Sequence, residues 1–537
     1  MIKDEIIGYL KQLIKENVPI EVFVPDNEKF GHYSTNVAFQ LSKTLKKSPL
    51  ETANSINEEL KIKNAVPTGR QAELFEKTEV ASPGFINFWL KPEVFQKETG
   101  EILKQKEKYG SHTAAGKESK KINLEFISAN PTGELTIGNG RGAFLGDALA
   151  NILELVGHKI TKEYYINDAR ASNQIKKLGE TALGKGETYK TLYLEQKVKG
   201  IKKELEGKSE GEAGYLLAQE VIKDTKNFIE KELKIKFDVW FSEEQLYQTS
   251  EIEELKKQLE KKGLVYEKEG ALWFKSTEFG DTEDRVLIRS TGEPTYFITD
   301  LTYQLDKFVD KKFSQAIDIW GADHHGYESR LRGGLKALGI LKNDDDFKII
   351  ITQMVRLIKD GKEVRMSKRA GDYFTLKELI EEIGLDAARF FFLMYSPDTH
   401  MDFDLGLAKE KSVKNPVYYV QYAAVRCQSI INKLQTTNYK PQTANFNLLD
   451  TQEDLNLMRM LARFPEEIMK AAVNYSPQII VRYSMDLARE FNNFYEKEKV
   501  SVEDEKLASA RLALIQATLT VFKNIFTILG ISLPEKM

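Results

Sequence analysis

The sequence predicts a doubly wound α/β domain built on a parallel sheet, preceded by an α+β module and followed by an all-α region. Three observations carry this. Strand and helix patterns alternate between residues 121 and 354, a glycine-rich turn joins the first of those strands to a long helix, and beyond 380 only helical periodicity continues. The length of 537 residues suits three or four domains at roughly 150 residues each.

Residues 1–112 form the first expected domain. Ile6, Ile7, Leu10, Leu13 and Ile14 recur at helical spacing, helices are expected near Thr35–Lys46 and Pro49–Leu60, and Gly84–Leu90 reads as a strand. Gly110–Lys121, rich in Gly, Ser, Ala and Lys, reads as a linker. Residues 113–380 form the second domain. Ile122–Ile127 alternates as a strand, Gly140–Val156 places Phe144, Ala148, Ile152 and Val156 on one helical stripe before Gly157, and Ile160–Ile166 is a second strand. A Lys/Glu-rich stretch around 175–265 reads as a helical insertion, after which Ala316–Trp320 and Lys348–Met354 return to strand character. Residues 381–537 form the helical third domain, where 411–537 hold 16 Lys/Arg against 13 Asp/Glu, a balance that permits an RNA-facing surface.

Over the whole chain 78 Lys/Arg meet 81 Asp/Glu, a net charge of −3, which excludes nucleic-acid binding through bulk positive charge. The single cysteine, Cys427, excludes an internal disulfide and a Cys-rich zinc site. Asp4 and Glu5 stand where a signal peptide needs basic residues, and the densest apolar run, Phe390–Met394, is short for a membrane span. A cytoplasmic protein with no membrane association is expected.

The segment Ser128-Ala129-Asn130-Pro131-Thr132-Gly133-Glu134-Leu135-Thr136-Ile137-Gly138-Asn139-Gly140-Arg141-Gly142 lies between strand and helix. A glycine-rich helix N-terminus offers free N–H groups and the positive end of the helix dipole to a phosphate. The alternative is a turn whose glycines only let the helix pack closely. The segment matches neither the dinucleotide fingerprint nor a P-loop.

With Arg365-Met366-Ser367-Lys368-Arg369 further on, it resembles the two signatures of class I aminoacyl-tRNA synthetases and, more narrowly, of arginyl-tRNA synthetases. Further similarity lies in Tyr164–Ala169, Phe237–Ser242, Gly321–Tyr327, Leu385–Phe390 and Asn415–Tyr422, and the N-terminal Phe30–Asn36 resembles the family's additional tRNA-contacting domain. The resemblance implies a Rossmann-like catalytic domain and a helical anticodon-binding domain. The implied reaction is ATP-dependent activation of L-arginine and transfer to tRNA(Arg), with tRNA bound before activation. The family's His-Ile-Gly-His appears here as Thr136-Ile137-Gly138-Asn139, a form that resembles tryptophanyl-tRNA synthetases. Thr136 and Asn139 are expected to donate to ATP phosphates, and Lys368 to supply the positive charge that the pentacoordinate phosphorus and pyrophosphate need.

The same resemblance places ATP against Gly138, Gly140, Gly321, Asp323, Met366 and Ser367. It places arginine against Glu125, Asn130, Tyr296 and Asp300, with Glu125 and Asp300 facing the guanidinium. Tyr296 and Asp300, four residues apart, share a face if that stretch is helical. Tyr418, Tyr422 and Arg426 are expected to stack on tRNA bases, with Tyr419, Arg463, Phe491, Phe494 and Tyr495 as further aromatic and cationic groups nearby. His324 and His325 beside Asp323 suggest a metal, but no third ligand accompanies them; Mg²⁺ is expected only with ATP, and no structural zinc or prosthetic group. A monomer is expected. Competing readings are a catalytically impaired tRNA-binding paralogue, motivated by Thr136 and Asn139, and a class I synthetase for another amino acid. Against the latter, a glutamate pocket would be basic.

Overall fold

The computed structural model describes residues 1–65, 74–111, 119–322, 326–363, 374–435 and 445–537. Five parallel strands form the central sheet: β1 (Lys121–Glu125), β2 (Lys159–Ile166), β3 (Val239–Ser242), β4 (Gln315–Gly321) and β5 (Phe347–Thr352), in the order β5-β4-β1-β2-β3. The chain winds outward from β1 through β2 to β3, then returns to lay β4 on the other side of β1. The β1/β4 boundary is therefore a switch point, and its carboxyl end is where such sheets bind ligands.

Both faces of the sheet are covered, as parallel strands require. Ile122, Leu124, Ile317 and Ile319 pack in one core with the Ile137–Leu155 helix, while Tyr165, Ala316, Phe347 and Ile349 pack in another with Phe297 and Leu301 of the Tyr296–Leu305 helix. Gly146 lets the first helix lie on β1, because a Cβ there would come within 2.2 Å of the Phe126 ring. Gly157, at φ 92°, ends that helix as expected.

The N-terminal domain is an antiparallel sheet of Val22–Phe23, Tyr33–Thr35, Phe85–Leu90 and Phe75–Ala81, in that order, with helices Ile2–Leu13, Val37–Leu45 and Pro49–Ala65. The last third is built from helices Pro416–Gln435, Gln452–Ala462, Phe464–Val473, Gln478–Lys497 and Glu505–Leu529.

Among the strands that the sequence reading lacks, three show why. Phe75–Ala81 is a charged edge strand whose Glu76, Lys77 and Glu79 hide its period. Val239–Ser242 falls inside the stretch read as a helical insertion, yet it is the edge of the central sheet; four residues after a long helix give little apolar signal. Met401–Asp404 lies beyond 380, where only helices were expected, and pairs in parallel with Val355–Lys359. Its buried Met401 and Phe403 alternate with exposed Asp402 and Asp404, and Asp402 accepts a bidentate pair from Arg356 at 2.7 and 2.9 Å. An Asp360-Gly361 turn, with φ of 52° and 72°, joins Val355–Lys359 to its antiparallel partner Lys362–Glu363. The apolar-run reading also missed the Glu505–Leu529 helix, which is long and apolar enough to span a membrane but is mostly buried as the central helix of the C-terminal core.

Polar bolts join this core to the catalytic sheet. Arg389, fully buried on the Leu385–Leu393 helix, pairs with Asp147 Oδ2 at 2.8 Å and donates to the Leu233 and Leu529 carbonyls at 2.7 and 3.4 Å. Asp386, one turn earlier, accepts from Gln421 Nε2 at 2.9 Å and from the Ser532 N–H at 3.1 Å. Asn151 Nδ2 donates to the Ile528 carbonyl at 3.0 Å.

Candidate active site

The signature turn starts at the end of β1 with two consecutive left-handed residues, Ile127 at φ 68° and Ser128 at φ 39°. For a β-branched residue this conformation is strained, on the order of 1–3 kcal/mol. Ser128 holds the turn by donating to Glu125 Oε1 at 3.0 Å and accepting from the Tyr165 N–H at 3.1 Å. Asn130 then lies exposed at the carboxyl end of the strand, its carbonyl accepting from the Thr132 N–H at 2.8 Å.

The following helix begins at Ile137, three residues before the expected Gly140, so Thr136 is its N-cap. Asn139 Oδ1 accepts from the Thr136 N–H at 2.8 Å and from the Thr136 hydroxyl at 3.0 Å. The Thr136 hydroxyl, expected to donate to a phosphate, here donates to Asn139, and Asn139 Nδ2 and the first helical N–H groups, including that of exposed Gly138, are further donors at this end. Gly140 meets the packing need that the turn's alternative reading proposed, since a Cβ there would come within 2.7 Å of Leu376 Cδ1. Leu376 N–H donates to the Leu135 carbonyl at 2.9 Å, and Thr375 bridges Thr136, so the chain after the second signature is stitched to the first. Gly321 ends β4 opposite Thr352. Asp323, His324, His325, Met366, Ser367 and Lys368 lie outside the described residues. Changing Thr136 and Asn139 together to alanine is expected to cost about 1 kcal/mol of stability through the lost cap and to slow ATP–pyrophosphate exchange. Unaltered exchange would leave phosphate binding to the backbone amides and the second signature alone.

Strand register builds the floor of the pocket. Glu125 of β1 stands opposite Glu163 of β2 and Asp318 of β4, three buried carboxylates in one row. Like charges so placed repel, and the helix above supplies the remedy. Lys307 Nζ, fully buried, pairs with Glu125 Oε2 at 2.7 Å and Asp318 Oδ1 at 2.8 Å. Tyr303 donates to Glu125 Oε2 at 3.0 Å and to Glu163, Gln304 Nε2 donates to Asp318 Oδ2 at 2.8 Å, and Lys311 reaches Glu163 at 3.3 Å. Burial alone would depress the Lys307 ammonium, but Asp318, Glu125 and Glu163 more than reverse that and hold it above its usual range. Glu125, expected to face the guanidinium, is thus paired through Oε2 from within the protein, by Lys307 and Tyr303.

Above this floor the structure brings together Tyr296 and Asp300 on one helical face, as the spacing predicts, and adds Glu243 at the end of β3. Burial, then the charge of Asp300, pushes Glu243 up to about 8. Burial, opposed by a hydrogen bond from Tyr327, brings Asp300 to about 7. Neither forms an ion pair among the described residues. Asp168 fixes the Glu243 turn, accepting from Ser242 Oγ at 2.7 Å, the Glu244 N–H at 3.2 Å and Gln219 Nε2 at 2.9 Å. Sequence reasoning missed Glu243, though it directly follows the quoted Phe237–Ser242 segment. It also missed Lys307, although Lys307 continues the helical face of Tyr296, Asp300 and Tyr303.

In the C-terminal domain, Tyr418 and Tyr422 stack at 6.1 Å and 11°, and the Arg426 guanidinium lies 4.6 Å over Tyr422 and 4.8 Å over Tyr495. Asn492 Oδ1 accepts from Arg426 at 3.0 Å. Phe491 and Phe494 are buried and belong to the core.

The sheet order, the signature turn entering a helix at the switch point, and the helical domain bolted behind it define a class I aminoacyl-tRNA synthetase. Three family models divide the chain: the arginyl tRNA synthetase N terminal domain matches residues 1–90, the class I (R) catalytic domain 98–175 and 180–439, and the DALR anticodon binding domain 420–537. The chain is 41% identical to the arginine–tRNA ligase of Desulforamulus reducens over 551 residues, covering 98% of this chain and 95% of that protein, and 41% identical to that of Carboxydothermus hydrogenoformans, covering 99% and 96%. The Thermus thermophilus arginyl-tRNA synthetase structure shares the fold, with a TM-score of 0.80 over the whole of both chains at 21% identity. The chain belongs to the arginyl-tRNA synthetase family.

Proposed function

We propose that the protein is an arginine–tRNA ligase in which Asp300 and Glu243 receive the arginine guanidinium over the Glu125–Lys307–Asp318 floor. The observation that carries this is buried Glu243 beside half-buried Asp300, neither with an ion-pair partner among the described residues, near a helix N-terminus at the switch point. A planar, permanently charged guanidinium suits such a pair. Asn130, at the mouth, serves the α-amino or carboxylate end, and Tyr296 forms a wall. The arginine carboxylate attacks the α-phosphorus of ATP·Mg²⁺, the bond to the β-phosphate oxygen breaks, and pyrophosphate leaves. A terminal ribose hydroxyl of tRNA then attacks the arginyl carbonyl, losing its proton as AMP departs. Asn139 Nδ2, the amides near Gly138, and Lys368 act on the phosphates. Gly140 and Gly321 let the nucleotide approach, with Asp323, Met366 and Ser367 completing its site. Tyr418, Tyr422 and Arg426, with Tyr495, form a ladder on which unstacked tRNA bases stack. The enzyme is cytoplasmic and monomeric in this reading, and its additional, catalytic and anticodon-binding domains are residues 1–112, 113–380 and 381–537.

Charging of tRNA(Arg) with arginine, but not with the neutral isostere citrulline, tests the reading; charging of neither, with folded protein and ATP, would sink it. Asp300→Asn keeps size but removes one charge. A charge-assisted hydrogen bond is worth about 1.5–3 kcal/mol, so the arginine KM is expected to rise about ten- to a hundredfold with little change for ATP. Equal weakening of both substrates would make Asp300 a folding residue.

A further inference from the structure

We infer that Tyr327 is a positioning residue for arginine recognition: its hydroxyl clamps Asp300 Oδ2 and leaves Oδ1 to meet the guanidinium. The inference rests on the reading of Asp300 as a guanidinium ligand. The clamp is short, 2.6 Å from Tyr327 Oη to Asp300 Oδ2. It joins two elements that the sheet topology brings together, because Tyr327 follows β4 whereas Asp300 lies on the helix that precedes it.

The phenol is itself held. Its ring packs against Trp320 at 6.1 Å and 46°, and the Arg330 guanidinium sits 5.1 Å from the ring centroid. Burial, and then the charge of Asp300, keeps the phenol well above its ordinary range, so it stays a donor through the neutral region.

The clamp matters because of what else faces Asp300. Glu125 from β1 and Asp318 from β4 raise it, while Lys307, further along its own chain segment, lowers it. Glu243, after β3, is raised by Asp300 in turn, and the phenols of Tyr165, Tyr247 and Tyr296 feel the same charge. In that company a carboxylate tends to take up a proton, and a protonated Asp300 cannot pair with a guanidinium. A hydrogen bond donated by Tyr327 favours the ionised form. Removing it moves the titration of the Asp300–Glu243 pair upward, and arginine binding weakens on the acid side.

Tyr327→Phe removes one oxygen and keeps the ring against Trp320. The test measures arginine KM and kcat for tRNA charging by the full-length protein from pH 6 to 9, with equilibrium dialysis of arginine in the presence of tRNA and thermal melting to confirm folding. Loss of one charge-assisted hydrogen bond corresponds to about a tenfold change or one pH unit. The arginine KM of Tyr327→Phe should therefore rise about tenfold at pH 6.5, return to within about threefold of wild type at pH 8.5, and leave kcat at saturating arginine within about twofold. In Glu243→Gln, which removes the other acid of the pair, the same Tyr327-dependent shift should persist. A KM raised equally at every pH, or not raised at all, in Tyr327→Phe would overturn the positioning role. Asp300→Asn separates the two failures. If it raises the arginine KM while Tyr327→Phe shifts nothing, the pocket reading stands and Tyr327 has no part in it. If Asp300→Asn leaves the arginine KM unchanged, the pocket reading falls and takes the clamp with it.

Discussion

Lys368→Ala is expected to lower arginine-dependent ATP–pyrophosphate exchange by about 10²–10³, the scale for loss of one electrostatic stabiliser from a transition state. The residue lies in Arg365-Met366-Ser367-Lys368-Arg369, and the chain that follows is stitched at Thr375 and Leu376 to the first signature. Thr136 and Asn139 stand in place of two imidazoles, and the Arg141 guanidinium is held by the Gln353, Ser396 and Thr399 carbonyls, so the expected charge stabilisation falls more heavily on Lys368. Binding of tRNA should persist. An exchange rate near wild type would remove Lys368 from the mechanism.

Lys307→Met carries the largest expected effect on stability. It leaves Glu125 and Asp318 buried without their common cation, and breaking a buried pair by removing one partner costs about 3–5 kcal/mol. The loss should appear as a lower urea midpoint with little change in the transition's slope. Its pH dependence has a definite sign. Without the ammonium, the two carboxyls hold protons in the folded state at pH values where the unfolded chain has lost them. Stability from such raised groups is fully present below the unfolded carboxylate range, about pH 4, and is lost as pH rises through the folded values. The deficit of the variant should therefore widen from acid to neutral pH. A deficit independent of pH would mean that lost packing, not stranded charge, accounts for the cost.

Much of the molecule was legible in the sequence because its information is local. The β1 strand, the signature turn and the long helix are one contiguous run that pattern places; Tyr296 and Asp300 are nominated by the family resemblance, and their one-turn spacing sets them on one face. The strands Phe75–Ala81, Val239–Ser242 and Met401–Asp404 share a different property: each is short, and the first and last carry charges on their open faces, which erases the apolar run that marks a buried strand. The floor of the pocket was out of reach for another reason. That Glu125, Glu163 and Asp318 stand in a row depends on the register of three strands separated by long stretches of chain. Lys307 gives no sign of its partners, Glu125 and Asp318, until that register is known.

The bolt between Arg389, Asp147 and the Leu529 carbonyl bears on how the chain can be made. The Ile137–Leu155 helix emerges early in synthesis, yet the Glu505–Leu529 helix that packs against it comes almost four hundred residues later. Until then a catalytic sheet with correct pairing carries an uncovered apolar flank, and the Asp386 carboxylate waits for Ser532. Folding from the ribosome outward cannot close one domain before starting the next. The central sheet is complete once Thr352 has been made, but the helix that covers this flank ends only at Leu529, so the catalytic domain reaches its final packing with the last residues of the chain.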